Sequence, residues 1–150
     1  MTLVLQRVSA ELGERLVAGD RSGVDAAKGW PHDDTLDGLT MAVQHGYPFW
    51  LVLLDGRVIG DCGTFGPPDD AGSVEIGYGL AQPFRGRGHG VAMVDRLVRT
   101  VVADDGVESV TAKVLRTNEP SCRTLERVGF VAEHRDDEHV WYALSAAQLR

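Results

Sequence analysis

Cysteine is scarce in this chain: two in 150 residues, Cys62 and Cys122, with no Cys-x-x-Cys pair. That spacing excludes a disulfide scaffold and a cysteine-built metal site, and reads both as reduced thiols. Long apolar runs are missing as well. No stretch approaches the ~18 residues of a transmembrane helix, so no membrane partner is expected. The opening Met-Thr-Leu-Val-Leu-Gln-Arg-Val has neither the basic start nor the uninterrupted apolar core of a signal peptide. Cytoplasmic location is the resulting expectation. Basic residues are in the minority, 15 Lys plus Arg against 22 Asp plus Glu, for a formal net charge of −7. A nucleic-acid binder needs a basic footprint for phosphates, and this chain lacks one. Its charge suits a cationic or amine-bearing substrate instead.

What is present points to one globular domain spanning 1–150. Hydrophobic residues make up 43% and charged residues 25%, ordinary values that exclude disordered and fibrous classes. Leu3 to Val8 reads as a strand, and Ser9 as the N-cap of a helix to about Ala18. The stretch 19–37 is irregular, and a helix is expected over Leu36 to His45, stopped by Gly46. Pro48 to Leu54 and Arg57 to Phe65 are strands joined by Asp55-Gly56, the dipeptide of a two-residue hairpin. Ser73 to Ala81 alternates, with Val74, Ile76, Tyr78 and Leu80 on one face and Glu75, Gly77, Gly79 and Ala81 on the other. Val91, Val94, Leu97, Val98 and Val101 form a helical stripe, followed by a strand over Val107 to Leu115. Asn118 caps a short helix ending at Gly129, and 130–144 closes with a hairpin. The fold class is mixed α/β: antiparallel strands first, then a parallel strand-helix-strand unit with a right-handed crossover.

Between the third strand and the long helix lies Phe84-Arg85-Gly86-Arg87-Gly88-His89-Gly90. Glycines permit positive φ and close approach of a ligand to backbone. A helix that starts there directs unpaired N–H groups and its positive dipole end at the loop, which describes a phosphate cradle. A Walker loop needs a lysine that is absent here, and a dinucleotide fingerprint needs a glycine where Val91 stands. Arg85, Gly88 and Gly90 match Arg/Gln-x-x-Gly-x-Gly/Ala instead.

That run resembles the acetyl-coenzyme A signature of the GNAT N-acetyltransferases. Asn118-Glu119-Pro120-Ser121, then Leu125 to Phe130, and Val74 to Tyr78 upstream, are similar to its branch of ribosomal-protein N-terminal acetyltransferases. The resemblance implies a GNAT-like fold whose strands Ser73–Ala81 and Val107–Leu115 splay apart. It implies acetyl-coenzyme A as donor and no metal, with the pyrophosphate on Arg85, Gly86, Arg87, Gly88, His89 and Gly90. The pantetheine arm would pair near Leu80 and Ala81, with Asn118 and Ser121 also at the cofactor. Many members use a tyrosine acid seven residues after the asparagine, and here that position is Leu125. Ser121 is then the group expected to hydrogen-bond the sulfur, and Glu75 the candidate general base, because Gly77 and Gly79 leave space beside it. Trp30, His32 and Asp33 lie where the family builds its acceptor pocket. The expected reaction is direct attack by a primary amine, of a small molecule or a protein N-terminus, in a ternary complex. Dimers are common in the family, so a homodimer is a further expectation. Two alternatives stay open: a transferase of another acyl group, and a coenzyme A sensor that has lost catalysis, as Leu125 would allow.

Overall fold

The computed structural model describes residues 2–150. Strand β1 (Leu3–Arg7) leads to helix α1 (Ala10–Val17), capped by the Ser9 hydroxyl, which accepts the Leu12 N–H at 3.1 Å. Helix α2 (Thr35–His45) ends at Gly46, which takes the left-handed conformation at φ 71°. Strand β2 (Phe49–Leu54) turns through Asp55 and Gly56, both at positive φ, into β3 (Arg57–Thr64). Strand β4 (Ser73–Leu80), helix α3 (His89–Val102) and strand β5 (Ser109–Leu115) follow. Helix α4 (Glu119–Val128) and strands β6 (Val131–Arg135) and β7 (His139–Ser145) complete the chain. Among the described residues no helix is long and apolar enough to cross a membrane.

The strands form one seven-stranded sheet in the order β1-β2-β3-β4-β5-β7-β6. Every neighbouring pair is antiparallel except β4 with β5, which α3 connects. The mixed α/β architecture expected from the pattern is therefore the one observed. β2 is uniformly apolar because both its faces are covered. Trp50 and Val52 join the cluster under α3 and α4, while Phe49 and Leu51 join the cluster under α1 and α2. On α3, Met93, Val94, Leu97 and Val98 are at most 1% exposed. Burial of each such side chain contributes about 1.5–3 kcal/mol, which fixes this helix against the sheet.

One irregularity sets the geometry of everything that follows. β4 and β5 pair only where Ser73, Val74 and Glu75 face Ser109, Val110 and Thr111. Beyond Glu75, β4 stays with β3 as far as Leu80 opposite Gly60, and β5 stays with β7 as far as Leu115 opposite His139. The two halves of the sheet twist away from each other, and a gap opens between them. β3 also carries a bulge: Val52 and Leu53 pair with Gly60 and Val58, leaving Ile59 extra. A bulge sharpens local twist, here beside the end of β4.

Gly60 permits that close pairing. A Cβ there would collide with the Gly79 carbonyl oxygen and stand 3.2 Å from Leu80 Cα, both backbone obstacles. Gly60→Ala is therefore expected to destabilise the fold by about 1–3 kcal/mol in urea titration, the range of an overpacked site. An unchanged midpoint would mean that β3 and β4 can shift apart freely.

Candidate active site

The glycine loop presents an open cradle. Gly86 and Gly88 have φ of 74° and 86°, and nothing lies within 4 Å of where their side chains would be. The Arg85 N–H is taken by the Gln82 carbonyl, and the next N–H with a partner is that of Ala92, on Gly88 O at 3.3 Å. The N–H groups of residues 86–91 thus have no partner among the described residues. They face the same region as the positive end of α3, the arrangement that binds phosphate. The arginines divide their tasks. Arg85 Nε donates to the Leu80 carbonyl at 2.9 Å, tying the loop to the end of β4, while Arg87 stays exposed. His89 is only 8% exposed, its ring 6.4 Å from that of Phe84, so its main chain rather than its ring belongs to the cradle.

Gly90 lets α4 approach. A Cβ there would stand 3.4 Å from Thr124 Oγ1, so α4 lies against the first turn of α3. Asn118 caps α4 through Oδ1, which accepts the Ser121 N–H at 3.3 Å. Ser121 Oγ in turn lies 2.6 Å from the Tyr78 hydroxyl. Alternation along β4 places Tyr78 on the α3 side, as the sequence indicates, yet its hydroxyl reaches α4 and does not end in the core. Burial pushes the Tyr78 pKa up to about 12, so the hydroxyl keeps its proton. Leu125, where relatives of the pattern carry tyrosine, is wholly buried. A tyrosine hydroxyl arrives beside Ser121 from a different strand.

The backbone of β4 completes this side. Phe65 N–H bonds the Glu75 carbonyl and Ala81 N–H bonds the Ile59 carbonyl at 2.8 Å, so the odd-numbered residues address β3. The main-chain groups of Tyr78 and the N–H of Leu80 consequently face the gap. Ala81, expected to share in pairing, has its own N–H already occupied.

Across the sheet lies a cavity of about 300 Å3 between α2 and the β3–β4 pair. Its lining includes His32, Met41, Phe49, Asp61, Phe65 and Gly77. The space left by the β4 glycines is filled from elsewhere. A Cβ on Gly77 would come within 2.9 Å of the Phe65 ring, and one on Gly79 within 2.5 Å of His32 Nε2. Glu75 shares that face but is exposed and does not line the cavity.

The buried carboxylate here is Asp61, 6% exposed in the middle of β3. Its Oδ2 accepts from Trp30 Nε1 at 3.0 Å and Thr35 Oγ1 at 2.7 Å, with His32 Nε2 at 3.8 Å. Its Oδ1 has no partner among the described residues and is not sealed from solvent. Burial raises the Asp61 pKa, and the neighbouring His32, Thr35 and Trp30 only partly oppose it. Trp30 and His32 thus meet at one carboxylate, whereas Asp33 is exposed and absent from the lining, which Asp34 joins instead. The sequence does carry a signal for Asp61, a charged residue inside the strand Val-Ile-Gly-Asp-Cys-Gly. Its partners come from the irregular 19–37 stretch, where no periodicity places them. Cys62, its neighbour, faces the core, and burial pushes its thiol pKa up. No cluster of three or more metal-ligating side chains occurs among the described residues.

A carboxyl group whose pKa is raised by folding costs the fold stability as pH rises from its unfolded-state pKa through the raised one, and its hydrogen bonds count most when it is ionised. Thr35→Val removes one such donor and raises the Asp61 pKa further. The expected loss, about 1–3 kcal/mol at pH 7, should shrink as pH falls through the Asp61 pKa. Denaturant titrations of both proteins at several pH values measure it. A loss independent of pH would show that Asp61 is not the partner that matters.

Comparison with known proteins bears on the fold and the family. The uncharacterized N-acetyltransferase YjdG of Bacillus subtilis is 26% identical over 120 residues, covering 73% of this chain and 71% of its own. The aminoglycoside acetyltransferase AAC(6')-Ib, solved with ribostamycin and coenzyme A, superposes with a TM-score of 0.73 at 18% identity, over 99% of this chain and 97% of its own. RimL, a ribosomal-protein alpha-N-acetyltransferase solved with coenzyme A, gives 0.70 at 18% identity, over 97% and 94%. At such identities these structures establish a shared fold. The model of the acetyltransferase (GNAT) domain matches residues 3–131, which take in every element from β1 through α4, the glycine loop and the divided strands. The chain belongs to the GNAT acetyltransferase family.

Proposed function

We propose that this protein is an N-acetyltransferase that uses acetyl-coenzyme A to acetylate a primary amine held against Asp61. The observation that carries this reading is the free Oδ1 of a buried carboxylate, open to a cavity that adjoins the divided strands. The coenzyme fits the other side. Unpartnered N–H groups at 86–91 and open space over Gly86 and Gly88 suit its pyrophosphate, with Arg87 adding charge. The unpaired edge at Tyr78 and Leu80 suits the pantetheine amides, which would add to it as a strand does. Both solved relatives described above hold coenzyme A.

When bound, acetyl-coenzyme A supplies a thioester whose acetyl carbon the amine attacks, forming the C–N bond as the C–S bond breaks. The residues divide the remaining work between the two faces of the sheet. Asp61 pairs with the incoming ammonium and takes its proton, with Trp30, His32 and Thr35 fixing the carboxylate through Oδ2. Its raised pKa lies closer to working pH than an ordinary carboxylate, which favours proton uptake. Glu75, at the point where β4 and β5 separate, shares that face but lies four residues along β4 from Gly79, the partner of Asp61, and plays a lesser part. The Tyr78–Ser121 hydroxyl pair lies on the opposite face, and one of the two hydrogen-bonds the departing thiolate, which takes up the second proton that the attacking nitrogen sheds.

Asp61→Asn is expected to lower kcat by 100-fold to 10,000-fold, the range of a lost general base. It should retain stabilisation by acetyl-coenzyme A, about 2.7 kcal/mol at 100 times the dissociation constant. Glu75→Gln is expected to lose less than tenfold. The reverse order of the two variants, read by thiol release, would move the base to Glu75.

The pH profile has a definite sign. Activity requires ionised Asp61, so kcat/KM falls on the acid side through its raised pKa. Trp30→Phe removes a hydrogen bond that favours the ionised form, and should move that limb to higher pH. A limb that stays in place would separate Asp61 from the rate.

A further inference from the structure

We infer that the acceptor is a compact amine on an alkyl or aryl body. A polyhydroxylated amino sugar and a peptide N-terminus fit the same cavity poorly. The inference rests on the amine-acetylation reading above and deepens it. The cavity holds about 300 Å3. At roughly 30 Å3 per water that is room for on the order of ten non-hydrogen atoms. It lies at the small end of ligand pockets.

The walls decide the chemistry further. Met41, Ala42, Tyr47, Phe49 and Phe65 supply apolar or aromatic walls, and no lysine or arginine is among the lining residues. Phe65 is 44% exposed and Met41 42%, large apolar side chains kept partly in water beside the cavity. Phe65 is not loose there. Its ring occupies the place a Gly77 side chain would take, since an added Cβ would meet Cε2 and Cζ at 2.9 Å. Tyr47 is held by stacking on His45, with ring centroids 5.1 Å apart. Hydroxyls of a sugar, or the successive amides of a peptide, would lose water against these walls and find few partners beyond Thr64 Oγ1, His32 and the exposed Asp34 and Asp37. An alkyl or aryl body loses nothing there, and its ammonium meets Asp61. The exposed Asp34 and Asp37, also in the lining, add negative potential that draws cations towards the opening.

The test uses the purified full chain with acetyl-coenzyme A and three acceptor sets: straight-chain and phenylalkyl amines of increasing length, ribostamycin, and short peptides with free N-termini. Thiol release and mass spectrometry give kcat/KM for each. Each added methylene should raise kcat/KM about fourfold until the cavity is full, the effect of burying one CH2. Ribostamycin and the peptides should lie at least tenfold below the best apolar amine. Phe65→Ala should raise KM for that amine about tenfold, leaving kcat and the KM for acetyl-coenzyme A in place, and Met41→Ala should act in the same direction. A response flat in chain length, a preference for ribostamycin or peptide, or an unchanged KM in both variants would overturn the inference while acetylation itself stands. No product from any set would instead remove the reading of the protein as an amine acetyltransferase.

Discussion

Strands β4 and β5 hold each other over Ser73 to Glu75 and then separate, because each remains committed to its other neighbour. A continuous sheet would wall off its two faces from each other. The separation removes that wall at one place, beside Tyr78. The glycine cradle and the Tyr78–Ser121 pair lie with α3 and α4, and the Asp61 cavity lies with α2. Only through such a gap can a group bound on the first side reach a nucleophile bound on the second. The same divergence leaves main-chain groups of β4 unpaired at an interior edge, where water or a ligand must satisfy them.

Glycine plays a different part on each side of this gap. At Gly86 and Gly88 positive φ turns the amides outward and leaves open space above them. At Gly77 and Gly79 the backbone is ordinary strand, and the missing side chains admit Phe65 and His32 instead. His32 and Phe65 thereby become walls of the cavity, with Asp61 at its base. The carboxylate is costly to bury, and three neighbours offset part of that cost through a single oxygen. The other oxygen has no partner among the described residues. Burial, hydrogen bonding at Oδ2 and an unpartnered Oδ1 thus meet in one carboxyl group.

The cradle was legible in the sequence because it is local: a strand, a glycine run and an amphipathic helix follow one another directly. The parallel unit and both hairpins were legible for the same reason. Asp61 was not, since its partners Trp30, His32 and Thr35 are 26 to 31 positions away in an irregular stretch. Strand alternation placed Tyr78 on the right face but could not show how far a long side chain reaches towards Ser121. Glycines beside Glu75 imply space in the sequence, but Phe65 and His32 fill that space from other elements. Local pattern therefore made the glycine loop legible, and long-range packing shapes the cavity around Asp61.

A structure of the protein with coenzyme A tests the central claim most directly. The sulfur should lie in the gap between β4 and β5, within hydrogen-bonding distance of the Tyr78 or Ser121 hydroxyl, with the pyrophosphate on the amides of residues 86–91. Coenzyme A bound elsewhere, or with its sulfur turned away from the gap, would contradict the account.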